Sequence, residues 1–168
     1  MLFRSGSTKA GPVAVALSGD RVTAGAIGLD PAASYYVYDF WSDTLVGKFP
    51  GTAKIEKNLG PSHCAMLSIR KVQSNPQVLS TDRHVLQGWV DLADVRWDAA
   101  GKKLSGVAKM IGGEPFRMVL VSNGRKPLRA AAGDALARLA SHPAGSEFTT
   151  LVLERKDNGA THWSVEFE

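Results

Sequence analysis

Splitting a glycosidic bond requires two carboxyl groups held across a cleft, one to protonate the leaving oxygen and one to attack or to activate water. This chain offers carboxylates at Asp39, Asp43, Asp82, Asp91, Asp94 and Asp98, and no spacing among them forms a recognisable pair. Asp39 lies inside an aromatic run. A buried charge persists mainly when paired, so a structural partner is expected for it, either a turn backbone or an arginine. Metal ligation is no better supported. His63 and Cys64 are adjacent, which on a strand sends their side chains to opposite faces, and His84, His142 and His162 are scattered. No Gly-x-Ser-x-Gly elbow is present, and Gly112-Gly113-Glu114-Pro115 lacks the lysine of a phosphate loop. Cys64 is expected to be a small packing residue on an apolar strand. Neither a metal nor a cofactor is expected.

Two groups of residues fit recognition better than catalysis. The first is aromatic: Trp41, Trp89, Trp97 and Trp163, with Tyr35, Tyr36 and Tyr38. Most such rings belong to cores because they bury large areas. Trp41, next to Ser42-Asp43 at a strand end, is expected to be partly exposed, where a flat ring can stack on the C–H face of a sugar. The second group lies in Leu79 to Gly88, where Thr81, Asp82, Arg83, His84 and Gln87 crowd together. Such a segment can fix a backbone corner through local turns or form an interface. Trp41, Asp43, Asp82, Arg83, His84 and Trp89 are therefore the candidate carbohydrate or interdomain contacts.

The elements that position these residues read as strands. Short alternating segments recur between turn signals. Tyr35 to Trp41 is aromatic and β-branched on both faces, as in a central strand buried on two sides. Cys64 to Val72 alternates, and so does His162 to Phe167. Between Trp89 and Trp97 the apolar phase slips by one residue at Ala93-Asp94, which predicts a β-bulge or a sharp bend. Asp98 to Gly101, Gly112-Gly113, Asn123-Gly124 and Asn158-Gly159 read as turns. Arg129 to Ala140 is alanine-rich, and propensity favours a helix there. Its strand neighbours and the break at Gly133-Asp134 favour two short strands by a small margin. Gln73-Ser74-Asn75-Pro76 marks a boundary. The expected fold is all-β, an antiparallel β-sandwich arrangement of two small units, 1–72 and 73–168.

The 168 residues carry 20 Lys and Arg against 16 Asp and Glu, a formal charge of +4. Basic residues come as short scattered pairs and not as a block, so no nucleic-acid partner is expected. No apolar run approaches the ~18–20 residues of a membrane helix, and Val13 to Leu17 is shorter than the ~7–15-residue core of a leader. The compartment stays open, since a parent enzyme could be exported. One cysteine excludes an internal disulfide.

Gly28-Leu29, Tyr35-Tyr36-Val37-Tyr38-Asp39-Phe40-Trp41, Val46-Gly47, then Leu59-Gly60-Pro61-Ser62-His63-Cys64 and Leu67-Ser68-Ile69-Arg70 occur in that order. Together they resemble the carboxy-terminal β-sandwich of α-galactosidase (melibiase)-like glycoside hydrolases. Asn75 to His84, Gln87-Gly88, Val95 to Asp98 and Leu104 to Gly106 are similar to the tail of bacterial members. The resemblance weakens after Arg125. It implies a non-catalytic accessory domain, because the catalytic aspartates of those enzymes lie on a preceding (β/α)8 barrel of ~250 residues. No catalytic residue carries over, and Asp39 belongs to the sandwich. The implied partner is that barrel, with or without a carbohydrate. The alternatives are a free-standing carbohydrate-binding module and a homodimeric structural or interaction protein.

Overall fold

The computed structural model describes residues 13–17, 21–23, 28–56, 64–83 and 90–168, with the backbone alone at 13–17, 21–23 and 56. Among them every regular element is a strand, and every strand pairing is antiparallel. The chain divides into two compact units, Met1–Val72 and Gln73–Glu168.

The first unit holds β1 (Val13–Leu17), β2 (Arg21–Thr23), β3 (Ser34–Asp39), β4 (Thr44–Pro50), β5 (Lys54–Glu56) and β6 (Ala65–Lys71). One sheet runs β1-β6-β3-β4, and β2 pairs with β5. β3 is an inner strand, and from Tyr35 to Asp39 every residue is buried. This explains its composition: a strand covered on both faces has no position for an alternating polar residue. Tyr35, Val37, Ile55, Ala65, Leu67 and Ile69 form the core, with Leu29, Ala33, Val46 and Phe49 packed on it.

The second unit holds β7 (Gln77–Thr81), β8 (Leu92–Asp98), β9 (Lys103–Met110), β10 (Phe116–Val121), β11 (Pro127–Ala132), β12 (Leu136–Ser141), β13 (Phe148–Glu154) and β14 (Gly159–Phe167). They form two four-stranded sheets, β12-β13-β10-β7 and β11-β14-β9-β8. One apolar cluster joins both sheets. Phe116, Met118, Leu120, Leu151 and Leu153 come from the first, and Leu104, Ala108, Met110, Trp163, Val165 and Phe167 from the second. The unit is therefore a sandwich of two sheets around a shared core.

The turns follow local chemistry. Asn123 and Gly124 both have left-handed backbone, with φ 48° and 83°. Asparagine and glycine are the residues that enter this region at least cost. Asn158 Oδ1 accepts the Gly112 N–H at 2.8 Å and so ties two turns together. Arg129 to Ala140 forms β11 and β12, not a helix, with the bend at 133–135 between them. Ala130, Ala132, Ala137 and Leu139 pack on the core from these strands. Burial on alternate positions overrides the weak helical preference of alanine. Cys64 departs from expectation. It is exposed and immediately precedes β6, so the alternation that buries Ala65 and Leu67 begins one residue later.

Candidate functional site

Trp41 sits in the turn between β3 and β4, and its side chain is 56% exposed. The turn is heavily cross-braced. Asp39 Oδ1 accepts the Trp41 N–H at 3.0 Å, Phe40 O accepts the Asp43 N–H at 3.3 Å, and the Ser42 and Thr44 hydroxyls lie 2.8 Å apart. The Tyr38 hydroxyl donates to Asp43 Oδ1 at 2.5 Å. Asp43 takes a left-handed conformation, φ 52°, which a short polar side chain tolerates. The Trp41 ring meets the Phe40 ring edge-on at 4.9 Å. Asp39, 2% exposed, thus has the turn partner that its burial demands. Trp41 and Asp43 share one turn, which carries an exposed indole, a fixed carboxylate and two hydroxyls.

The Tyr38 phenol is pushed far above the ordinary tyrosine range, first by burial and then by the Asp43 carboxylate it faces. A raised pKa contributes stability that is fully present below the unfolded value near ~10 and is lost progressively as pH rises from there toward the folded value. Tyr38→Phe is therefore expected to cost about 1.5–3 kcal/mol at neutral pH, the usual value of a hydrogen bond to a charged group. The gap between variant and parent should narrow above about pH 10, where the parent alone must keep this buried phenol protonated. Denaturant unfolding at pH 7, 9 and 10.5 measures it. A constant gap would contradict the assigned cause.

Asp82 and Arg83 belong to the second unit, at the end of β7. The Asp82 N–H donates to Arg117 O at 3.0 Å, and its Oδ2 accepts the Arg117 N–H at 3.0 Å. Thr81 Oγ1 accepts the Arg83 N–H at 3.3 Å. The Arg83 guanidinium lies 5.4 Å above the Phe116 ring and 3.4 Å from Glu114. Burial pushes the Asp82 carboxyl upward against the opposing pull of the Arg117 N–H and of the Arg83 and Arg117 charges. These contacts close the β7–β10 ladder, the backbone-corner role weighed for this segment. His84 and Trp89 lie outside the described residues. Leu79 is fully buried, so it presents nothing to a partner.

Elsewhere the candidate chemistry resolves into structure. His142 is buried, and its Nδ1 accepts the Ala144 N–H at 3.1 Å. Among the described residues no three His, Cys, Asp or Glu converge to hold a metal ion. The exposed large hydrophobics among them are Trp41, Val90, Val95, Ile111, Leu128 and Leu136, set in turns and strands along both units.

A feature that sequence reasoning missed is a concavity of about 390 Å³ on the outer face of β11-β14-β9-β8. Asp94, Arg96, Ser105, Val107, His162 and Ser164 are among the residues that line it. The signal was available only in two dimensions. Small residues recur on the solvent side of three strands, and that coincidence emerges only when the register is known.

No protein-family model matches the chain, and no curated protein matches it either. The functional reading therefore rests on the residues themselves.

Proposed function

We propose that the chain is a non-catalytic β-domain of a carbohydrate-active enzyme, akin to the sandwich that follows the barrel in α-galactosidase-like glycoside hydrolases. Its contribution is a carbohydrate contact at the Trp41 turn. One observation carries this reading: the half-exposed indole of Trp41 on a turn fixed by four hydrogen bonds. A turn already braced in this way loses little backbone freedom when a ligand docks. Its face suits the C–H side of a pyranose, while the Asp43 carboxylate and the Ser42 and Thr44 hydroxyls can engage sugar hydroxyls beside it. Bond cleavage would belong to the partner barrel, where the resembling enzymes keep their catalytic aspartates.

Titration of the chain with melibiose, raffinose, lactose and cellobiose tests this, read by heat and by tryptophan fluorescence. Saturable binding of at least one saccharide is expected. Trp41→Ala should weaken it by roughly tenfold or more, the effect of truncating an aromatic anchor worth about 1.4 kcal/mol or more. Its thermal unfolding should be unchanged, because the side chain is largely outside the core. Absence of heat with every saccharide removes the carbohydrate contact. Turnover of an aryl α-galactoside by the purified chain overturns the non-catalytic assignment.

A further inference from the structure

The outer face of β11-β14-β9-β8 is built in rows that cross the strands. Along each strand, residues that face the core alternate with residues that face outward. In β9, Leu104 and Ala108 point inward while Lys103, Ser105 and Val107 point outward. In β14, Trp163 and Val165 point inward while His162, Ser164 and Glu166 point outward. The register then sets Lys103, Glu166 and Arg129 side by side. It sets Ser105 beside Arg96 on one flank and Ser164 on the other, with Ala131 beyond, and Val107 beside His162. The first row is tall and locked: Glu166 bonds Arg129 at 2.7 and 3.0 Å and lies 3.4 Å from Lys103. Both cations hold the Glu166 carboxyl below its usual range. The second row is short from Ser105 through Ser164 to Ala131, with Arg96 at its end. A row of seryl and alanyl side chains beside a wall of long paired ones is a trough.

The end of the trough is shaped by a bulge in β8. The register breaks between Ala93 and Arg96, and Asp94 takes φ 52°. A bulge inserts an extra residue and re-aims side chains, and here it sets Asp94 and Arg96 at one margin of the trough. Among the described residues, neither side chain takes part in a hydrogen bond or ion pair with a neighbour. The β8 side therefore offers one anion and one cation without a side-chain partner among the described residues, and the floor offers the Ser105 and Ser164 hydroxyls. An anionic ligand would meet Asp94, and a cationic one would meet Arg96. A neutral ligand dense in hydroxyls satisfies both, since each hydroxyl can donate to a carboxylate or accept from a guanidinium. The volume, about 390 Å³, lies within the ~300–1,000 Å³ of small-molecule sites.

We propose that this trough is a second saccharide site, taking a neutral unit of about disaccharide size with Arg96 and Asp94 as its polar anchors. The proposal rests on the carbohydrate reading given above, but it places the contact on a different unit and on different chemistry, with no aromatic platform.

The test is a nitrogen-15 NMR titration of the whole chain with melibiose, lactose and cellobiose, with Arg96→Ala, Asp94→Asn and Ser105→Phe as variants. Asp94→Asn removes the charge and keeps a residue that tolerates left-handed backbone. Ser105→Phe fills the floor at an outward strand position where an aromatic is well accommodated. Lys126→Ala, outside the residues that line the trough, is the control. Saturable shifts at the amides of Ser105, Val107 and Ser164 are expected with one saccharide. Arg96→Ala and Asp94→Asn should each weaken binding roughly ten- to a hundredfold, as for loss of a charged hydrogen bond. Ser105→Phe should abolish the shifts while the folded spectrum and unfolding temperature persist. If saccharide shifts gather at the Trp41 turn and spare the trough, the trough assignment falls and the function proposed above stands. If no saccharide shifts any amide, both fall.

Discussion

Replacing Trp163 with alanine is expected to destabilise the second unit by about 3–5 kcal/mol, the range for truncating a large buried aromatic. Trp163 is 2% exposed and contributes to the cluster that joins the two sheets. Its neighbour across the ladder is Gly106. A Cβ placed on Gly106 would lie 3.0 Å from Cζ2 and 3.2 Å from Cε2 of the indole and 3.1 Å from the Ala93 carbonyl. The glycine thus exists to make room for the ring, and removing the ring leaves a void that rigid strands on both sides cannot close. Trp163→Phe should cost distinctly less. The indole N–H is buried with no hydrogen-bond partner among the described residues. An orphaned polar group costs about 1–3 kcal/mol, and phenylalanine removes it while keeping most of the apolar volume. Urea unfolding of parent, Trp163→Phe and Trp163→Ala measures the two steps. An alanine variant within 1 kcal/mol of the parent, a shift well below the expected range, would contradict this account of the core.

The second large effect belongs to Gly51. Its substitution by alanine should destabilise the first unit by about 3 kcal/mol, at the upper end for overpacking. The requirement is close approach and not unusual backbone rotation. A Cβ at this position would stand 1.9 Å from the Asp30 carbonyl oxygen, 2.8 Å from the Asp30 carbonyl carbon and 3.0 Å from Pro31 Cα. All three are backbone, so no side chain can swing aside. The Asp30 turn is also held from several directions. Its N–H donates to the Tyr35 hydroxyl at 3.0 Å, its Oδ1 accepts from Ala32 at 3.0 Å, its carbonyl accepts from Ala33 at 3.1 Å, and its Oδ2 lies 3.3 Å from Lys71 Nζ. Gly51 itself donates to Ala33 O at 2.7 Å. Relief would break some of these bonds. Chemical unfolding followed at Tyr35 and its neighbours reads the loss, and a shift under about 0.5 kcal/mol, the size of an innocuous surface change, would show that the turn yields.

The architecture was legible wherever burial leaves a periodic trace. β3 announces itself because a strand covered on both faces cannot alternate apolar residues with solvated polar ones. β14 does so because Trp163, Val165 and Phe167 share one face. The phase slip at Ala93-Asp94 marks the bulge of β8, since an inserted residue inverts the alternation beyond it. The alanines of 129–140 were nearly silent, because alanine fits either element and only the neighbouring sheets decide. β7 was hidden for a different reason. Gln77, Ser80 and Thr81 are buried polar residues, so the strand reads as a hydrogen-bonding loop in one dimension. At the candidate site, Trp41 was legible from the turn residues beside it, and Asp39 from the cost of burying a charge. The trough was not, because its floor is defined by what three separate strands lack.

The irregularity in β8 also bears on how copies of this protein meet. Among the described strands β8 is the outermost of its sheet, and an outermost strand carries a row of amides and carbonyls that another chain could zip onto. With Asp94 in the left-handed region and the ladder out of step between Ala93 and Arg96, that row is broken in the middle and carries an anion beside a cation. A straight incoming strand would find only short stretches in phase. The kink that shapes one end of the trough thus also interrupts the ladder that an added strand would have to extend.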